Sequence, residues 1–184
     1  MYLYALLVTV LLIAAIYLAP LRSKVWVATG IVSLAACSAI ALAVMAFLGG
    51  DVAIATFITP LFGAEHLSVD KLSSLFLLII SVAAVATTLY SKGYVEGYLK
   101  RFSPAHISLH YTSLVTLVVS MMFVVMSSGG FSFLFSWELM TIASFILILF
   151  EADRQEVRRA ALNYLVMMHI GFMFLVVGFV LLYN

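Results

Sequence analysis

Six apolar runs of membrane-spanning length constrain the fold of this 184-residue chain more than any other feature. A helix needs about 20 predominantly apolar residues to cross the hydrocarbon core of a bilayer, and in lipid its backbone polar groups must be satisfied within the segment. The sequence therefore predicts an all-α membrane protein, a single domain over residues 1–184 with about six transmembrane helices. The predicted helices lie near Tyr2–Ala19, Val25–Leu48, Leu72–Tyr90, Tyr111–Met126, Phe131–Phe150 and Ala160–Tyr183.

The composition agrees with a membrane location and narrows the choice of partners. Apolar residues make up 66% of the chain and charged residues 9%, whereas about 25% of the residues of a soluble domain are charged. Because the few charges lie between the apolar runs, we predict a lipid bilayer as partner and no nucleic acid. The sequence has no phosphate-binding glycine loop, Cys-x-x-Cys or haem motif, so we predict no cofactor and no metal.

Basic residues are concentrated after every second predicted helix. Cytoplasmic loops of membrane proteins carry an excess of Lys and Arg, so the loops after helices one, three and five are predicted to be cytoplasmic, and both chain termini to lie on the outer face. Only Lys71 lies on the opposite side. The basic residues of the predicted cytoplasmic face are Arg22, Lys24, Lys92, Lys100, Arg101, Arg154, Arg158 and Arg159.

The connection between the second and third predicted helices is apolar but is interrupted by Pro60 and Gly63. Residues 52–58 are rich in β-branched side chains, which favours a strand over a helix. We therefore predict a short hairpin at the membrane surface rather than a seventh span. Asp70 follows it and suits the N-cap of the third helix, because its carboxylate can accept from the free amides of the first turn.

Glu138 is the acidic residue that lies well inside an apolar run. The helical rise places it about 10 Å from the Phe131 end and about 18 Å from the Phe150 end of that run. An ionisable group at such depth costs at least about 2.5 kcal/mol, which favours a proton or ion carrier over a neutral structural carboxyl. The other acidic residues are expected in loops or at helix ends, where water solvates them: Asp51, Glu65, Asp70, Glu96, Glu151, Asp153 and Glu156.

His169, on the sixth run, lies about 14 Å from the Ala160 end of that run, at a depth similar to that of Glu138. We predict Glu138 and His169 as proton-translocation residues, while a neutral histidine that bonds across helices remains the alternative for His169. For His110 we consider proton uptake near the cytoplasmic boundary, and for Arg158 and Arg159 electrostatic support of Glu138. Solvated or snorkelling side chains are the alternatives for these three residues. No catalytic residue is predicted.

Three segments match a known pattern: LSVDKLSSLF at 67–76, FSWELM at 135–140 and NYLVMMHIG at 163–171. In order and spacing they resemble the N-terminal part of the antiporter-like membrane subunits. These subunits occur in respiratory complex I, in multisubunit cation/proton antiporters and in formate hydrogenlyase-type hydrogenases. The most similar branch is hydrogenase-4 component B, or formate hydrogenlyase subunit 3, because the aspartate and leucine-serine before helix three and the histidine of helix six recur there.

The resemblance implies that Glu138 corresponds to the family's fifth-helix glutamate, which works with a lysine on a seventh helix in proton translocation. Residues 1–184 contain no seventh predicted helix. The chain is therefore expected to be a fragment, a subunit that a separately encoded protein completes, or an accessory subunit.

We therefore predict a non-catalytic, proton-translocating membrane subunit, or the N-terminal part of one, in a redox-driven complex of the hydrogenase or complex I type. Its partners would be other membrane subunits of the same complex, including one that supplies the later helices. Its location would be a prokaryotic plasma membrane. Two alternatives remain open: a non-conducting structural or assembly subunit, and a component of a multisubunit Na⁺/H⁺ antiporter.

Overall fold

A computed structural model of the protein describes residues 14–59 and 63–183. Residues 14–18 form a helical segment, α1, whereas most of the first predicted span, residues 2–13, lies outside the described residues. The remaining elements follow in chain order: α2 (Lys24–Gly49), β1 (Val52–Thr59), β2 (Gly63–Val69), α3 (Lys71–Glu96), α4 (Pro104–Met126), α5 (Gly130–Ile148) with a 3₁₀ turn (Leu149–Glu151), and α6 (Gln155–Tyr183).

Helices α2 to α6 are each long and apolar enough to cross a membrane. The prediction of an all-α membrane protein is therefore confirmed. The predicted hairpin is also present, as an antiparallel pair of β1 and β2 that joins the end of α2 to the start of α3. Its register pairs Val52 with Val69 and shifts by a bulge between Ala53 and Ala55.

Local capping residues set where two of the helices begin. The Asp70 carboxylate accepts from the Ser73 N–H at 2.6 Å, which confirms the predicted N-cap of α3. Helix α4 begins at Pro104, seven residues before the predicted Tyr111. Ser103 caps it by accepting from the N–H of His106, and proline is favoured in a first helical turn because its missing N–H would be unpaired there anyway.

The apolar core lies between α2, α3 and α4. Helix α2 contributes mainly small side chains, which let neighbouring backbones approach closely in a membrane bundle. Helix α6 differs, because none of the residues of its most apolar 18-residue window is buried. The buried alanines of α2 are Ala28, Ala36, Ala39, Ala43 and Ala46.

Candidate functional site

The structure brings Glu138 of α5 and His169 of α6 into direct contact. Glu138 Oε1 lies 3.0 Å from His169 Nε2, and the second ring nitrogen, Nδ1, lies 3.0 Å from the backbone carbonyl oxygen of Leu165. Glu138 is about 12 Å along α5 from Gly130, and His169 is midway along α6. The two side chains therefore meet far from both ends of their helices.

The hydrogen bonds determine how many protons this pair holds. A carbonyl oxygen only accepts, so Nδ1 of His169 carries a hydrogen. Nε2 and Oε1 then share one proton, which lies either on a neutral Glu138 or on a charged imidazolium. Without that proton two lone pairs would face each other. The geometry therefore requires at least one proton between Nε2 and Oε1, and a second proton could lie only on Oε2.

The other carboxylate oxygen of Glu138, Oε2, is buried and has no hydrogen-bond partner among the described residues. An unsatisfied buried acceptor costs about 1–3 kcal/mol. The side chains of Glu138 and His169 are 24% and 42% exposed, so the pair as a whole is only partly covered. Its exposed part does not include Oε2, which the described residues enclose.

His110 lies in an aromatic cluster at the predicted cytoplasmic end of the bundle. Its ring centroid is 4.6 Å from that of Phe150 and 6.2 Å from that of Tyr94. Neither ring nitrogen has a hydrogen-bond partner among the described residues. One turn away, Nε2 of His106 lies 2.9 Å from the carbonyl oxygen of Phe150. Two imidazoles therefore lie between the charged turn and the interior.

The turn between α5 and α6 is bonded both to the connection between α3 and α4 and to itself. Arg101 forms an ion pair with Asp153, and Tyr98 donates a hydrogen bond to Glu151, which raises the pKa of Tyr98. Arg158 donates to the carbonyl oxygen of Ala152 at 2.7 Å. This contact ties Arg158 to the turn and not to Glu138.

Arg159 is exposed and lines a shallow cavity at the start of α6 with Arg154, Gln155 and Glu156. The structure therefore groups Glu138 with His169, and it leaves His110, Arg158 and Arg159 nearer the predicted cytoplasmic end. Among the described residues, no group of three His, Cys, Asp or Glu side chains is placed to bind a metal ion.

One expectation about the acidic residues is wrong. Glu65 was expected to be solvated in a loop, yet it is 1% exposed and its carboxylate lies at the N-terminus of α5. Along β2, Glu65 shares a face with the buried Val69, because side chains two residues apart point to the same side of a strand. That alternation was the available signal for its burial.

Comparison with known proteins relates the chain to membrane subunits. Residues 127–184 match a family described as NADH:quinone oxidoreductase/Mrp antiporter, transmembrane. Uncharacterized proteins from two strains of Mycobacterium tuberculosis are 36% identical over 127 residues, 68% of this chain and 19% of each relative. NADH-ubiquinone oxidoreductase chain 5 of Ascaris suum is 33% identical over 107 residues, 58% of this chain and 18% of that protein. The chain thus spans about one fifth of the length of these relatives.

Proposed function

The chain belongs to the antiporter-like superfamily of NADH:quinone oxidoreductase and Mrp antiporter membrane subunits, and on this premise we propose that it is a proton-translocating part of a redox-driven complex. The Glu138–His169 pair is its protonatable site. The single observation that supports this role is the 3.0 Å contact between Oε1 of Glu138 and Nε2 of His169 near the middle of both helices. The other ring nitrogen, Nδ1, donates to a backbone carbonyl oxygen, so Nε2 faces the carboxylate.

The pair handles one proton at a time. Its resting state shares one proton between the carboxylate and the imidazole, which avoids leaving an isolated charge at mid-membrane depth. A second proton goes to Oε2, the carboxylate oxygen without a partner among the described residues, so the Oε1–Nε2 hydrogen bond persists and the pair carries a positive charge. Release of the shared proton, in contrast, leaves two lone pairs facing each other and breaks this contact. Proton release is thereby coupled to a change in the contact between α5 and α6.

The expected lysine of the family has no counterpart beside Glu138 among the described residues. Oε2 is the unpaired acceptor there, and α6 presents large apolar side chains such as Met167 and Phe174, which are 71% and 74% exposed. We propose that a helix from outside residues 1–184 packs against α6 and brings a cation close to the partly exposed Glu138 side chain. A nearby cation stabilises the carboxylate and so releases the shared proton.

The complex would be of the hydrogenase or complex I type and would lie in a prokaryotic plasma membrane. The chain itself would hold no redox cofactor. His110 would serve proton uptake, because its ring nitrogens have no hydrogen-bond partner in the part of the chain that the structure describes and lie between the charged turn and the helix interior. Arg158 and Arg159 would act on the electrostatics of the turn.

Proton pumping by the assembled complex in proteoliposomes tests this proposal. Glu138→Gln keeps the size of the side chain but removes its ionisable group, so pumping is expected to collapse while electron transfer persists without being coupled to proton movement. The exposed Glu156→Gln is the matched control, because it makes the same chemical change outside the pair. Pumping that is unchanged in Glu138→Gln would refute the assignment.

The same assay separates the two alternatives. A non-conducting structural or assembly subunit predicts normal pumping in Glu138→Gln and loss of the complex when residues 151–159 are replaced. A component of a Na⁺/H⁺ antiporter predicts proton flux that is driven by a sodium gradient without any electron donor. The absence of a sodium response would argue against that component.

A further inference from the structure

Glu65 caps a helix from a distant part of the chain. Its Oε1 accepts from the N–H of Phe131 at 3.2 Å, and its Oε2 accepts from the N–H and the hydroxyl of Ser132 at 3.1 and 2.8 Å. The first N–H groups of a helix have no partner within the helix and carry the positive end of its dipole. Gly129, at the N-cap of α5, has no side chain to satisfy them. The Glu65 carboxylate, from β2, therefore takes the place of an N-cap side chain for α5.

The two glycines before Phe131 make room for neighbouring elements. A Cβ atom on Gly129 would overlap the Glu65 carboxylate. The backbone of Gly129 is in an ordinary extended conformation, so close approach, and not backbone freedom, requires glycine there. A Cβ on Gly130 would lie 3.1 Å from Cδ1 of Phe179 on α6. The start of α5 is thus in close contact with the hairpin at one residue and with α6 at the next.

The hairpin is also bonded to the short connection between α4 and α5. The N–H of Ser128 donates to the carbonyl oxygen of His66 at 3.0 Å, and the hydroxyls of Ser68 and Ser128 are 2.7 Å apart. Leu67 and Ser127 form an antiparallel bridge. The backbone just before α5 therefore extends the edge of β2, and Glu65 reaches from that edge to the first turn of α5.

These contacts at the start of α5 affect the geometry of the Glu138–His169 pair in the middle of the two helices. A helix is stiff over two turns, so the rotation of its first turn also sets the direction of Glu138, about 12 Å further on. Few contacts hold α6, whose most apolar window has no buried residue. The ring of Phe179 lies 5.6 Å from that of Phe133, and the Glu138–His169 contact lies further along the same two helices.

We propose that Glu65 is a positioning residue, which fixes the rotation and axial position of α5 so that Glu138 faces His169. This inference rests on the proposed function of the pair. The hairpin on the predicted outer side thereby takes part in setting the geometry of a proton site inside the membrane.

Nitrogen NMR of the histidine side chains of the full chain in lipid nanodiscs tests the proposal. The chain has four histidines, and the His169 signals are assigned with His169→Gln. Glu138→Gln gives the reference signal of a His169 that has lost its carboxylate partner. Glu65→Ala is expected to move at least half of the His169 Nε2 signal to that reference position. Asp51→Asn, an exposed acid at the base of the same hairpin, is the control and should leave the signal in place.

Two milder variants keep the test decisive if Glu65→Ala does not fold. Glu65→Gln retains one acceptor oxygen, and Ser132→Ala removes only the hydroxyl donor, so each should give a smaller displacement in the same direction. A folded Glu65→Ala with an unchanged His169 signal would overturn the proposal, as would unchanged signals in both milder variants. Failure of the proposed function alone gives another result: Glu65→Ala still moves the His169 signal, but Glu138→Gln leaves pumping unchanged.

Discussion

Gly129→Ala replaces a hydrogen by a methyl group where the Glu65 carboxylate already lies. The carboxylate must move, and it then loses three hydrogen bonds, two from backbone N–H groups and one from the Ser132 hydroxyl. Hydrogen bonds to a charged group contribute about 1.5–3 kcal/mol each. A displaced carboxylate regains some solvation, and we therefore expect Gly129→Ala to lower the free energy of unfolding by about 3–5 kcal/mol, the range for breaking a buried charged contact.

The matched control is the same substitution on α6. A Cβ added at Gly178 would meet nothing within 4 Å, and alanine is favoured over glycine in a helix interior by about 0.8–1 kcal/mol. Gly178→Ala is therefore expected to raise the free energy of unfolding. The same substitution is thus expected to lower the free energy of unfolding at Gly129 and to raise it at Gly178. A general effect of alanine on membrane helices would not produce this difference.

Reversible unfolding in mixed detergent micelles, followed by far-UV circular dichroism, measures both variants, and a double-mutant cycle identifies the cause. In a Glu65→Ala background, Gly129→Ala is expected to cost less than about 1 kcal/mol, because only the weaker N-cap preference of alanine remains. If Gly129→Ala were equally costly in both backgrounds, the overlap with Glu65 would not be the cause and the reasoning would fail.

Two further predictions concern polar groups near the ends of helices. Asp70→Ala should lower the free energy of unfolding by about 1 kcal/mol through loss of the cap on Ser73. The backbone hydrogen bond from Ser73 lowers the pKa of Asp70 from its ordinary value of 3.8, so the cap contributes fully above that value and is lost as the pH falls below it. Denaturant titrations between pH 2 and pH 7 should show this loss in the unmodified chain and not in Asp70→Asn, and an equal loss in both would contradict it. Lys24→Met should cost about 1–3 kcal/mol, because the buried Lys24 amine donates to the carbonyl oxygens of residues 16 and 17 at 2.8 and 3.0 Å. The exposed Lys100→Met should be near neutral in the same unfolding assay, and equal costs for the two lysines would show that the α1 contact is not the reason.

The long helices and the hairpin follow from local patterns. Apolar length predicts a span whatever the neighbouring segments do, and β-branched residues followed by Pro60 and Gly63 predict a hairpin without reference to its partners. The ends of the helices are less well predicted, because hydropathy locates the part that crosses lipid whereas capping decides where the helix begins. At α4 the first two turns, residues 104–110, include a proline, a serine and two histidines and so fall outside the apolar run, yet Ser103 and Pro104 begin the helix there.

The similar depth of Glu138 and His169 can be predicted from the chain alone, because depth depends on the rise along a helix. Their contact at 3.0 Å cannot be predicted in this way, since the rotation of one helix relative to another depends on packing. The burial of Glu65 also depends on packing. From its place in the connection between two predicted helices, Glu65 is expected to be solvated. It is buried because the hairpin folds over the start of α5, where Gly129 leaves space and the N–H groups of the first helical turn donate to the carboxylate.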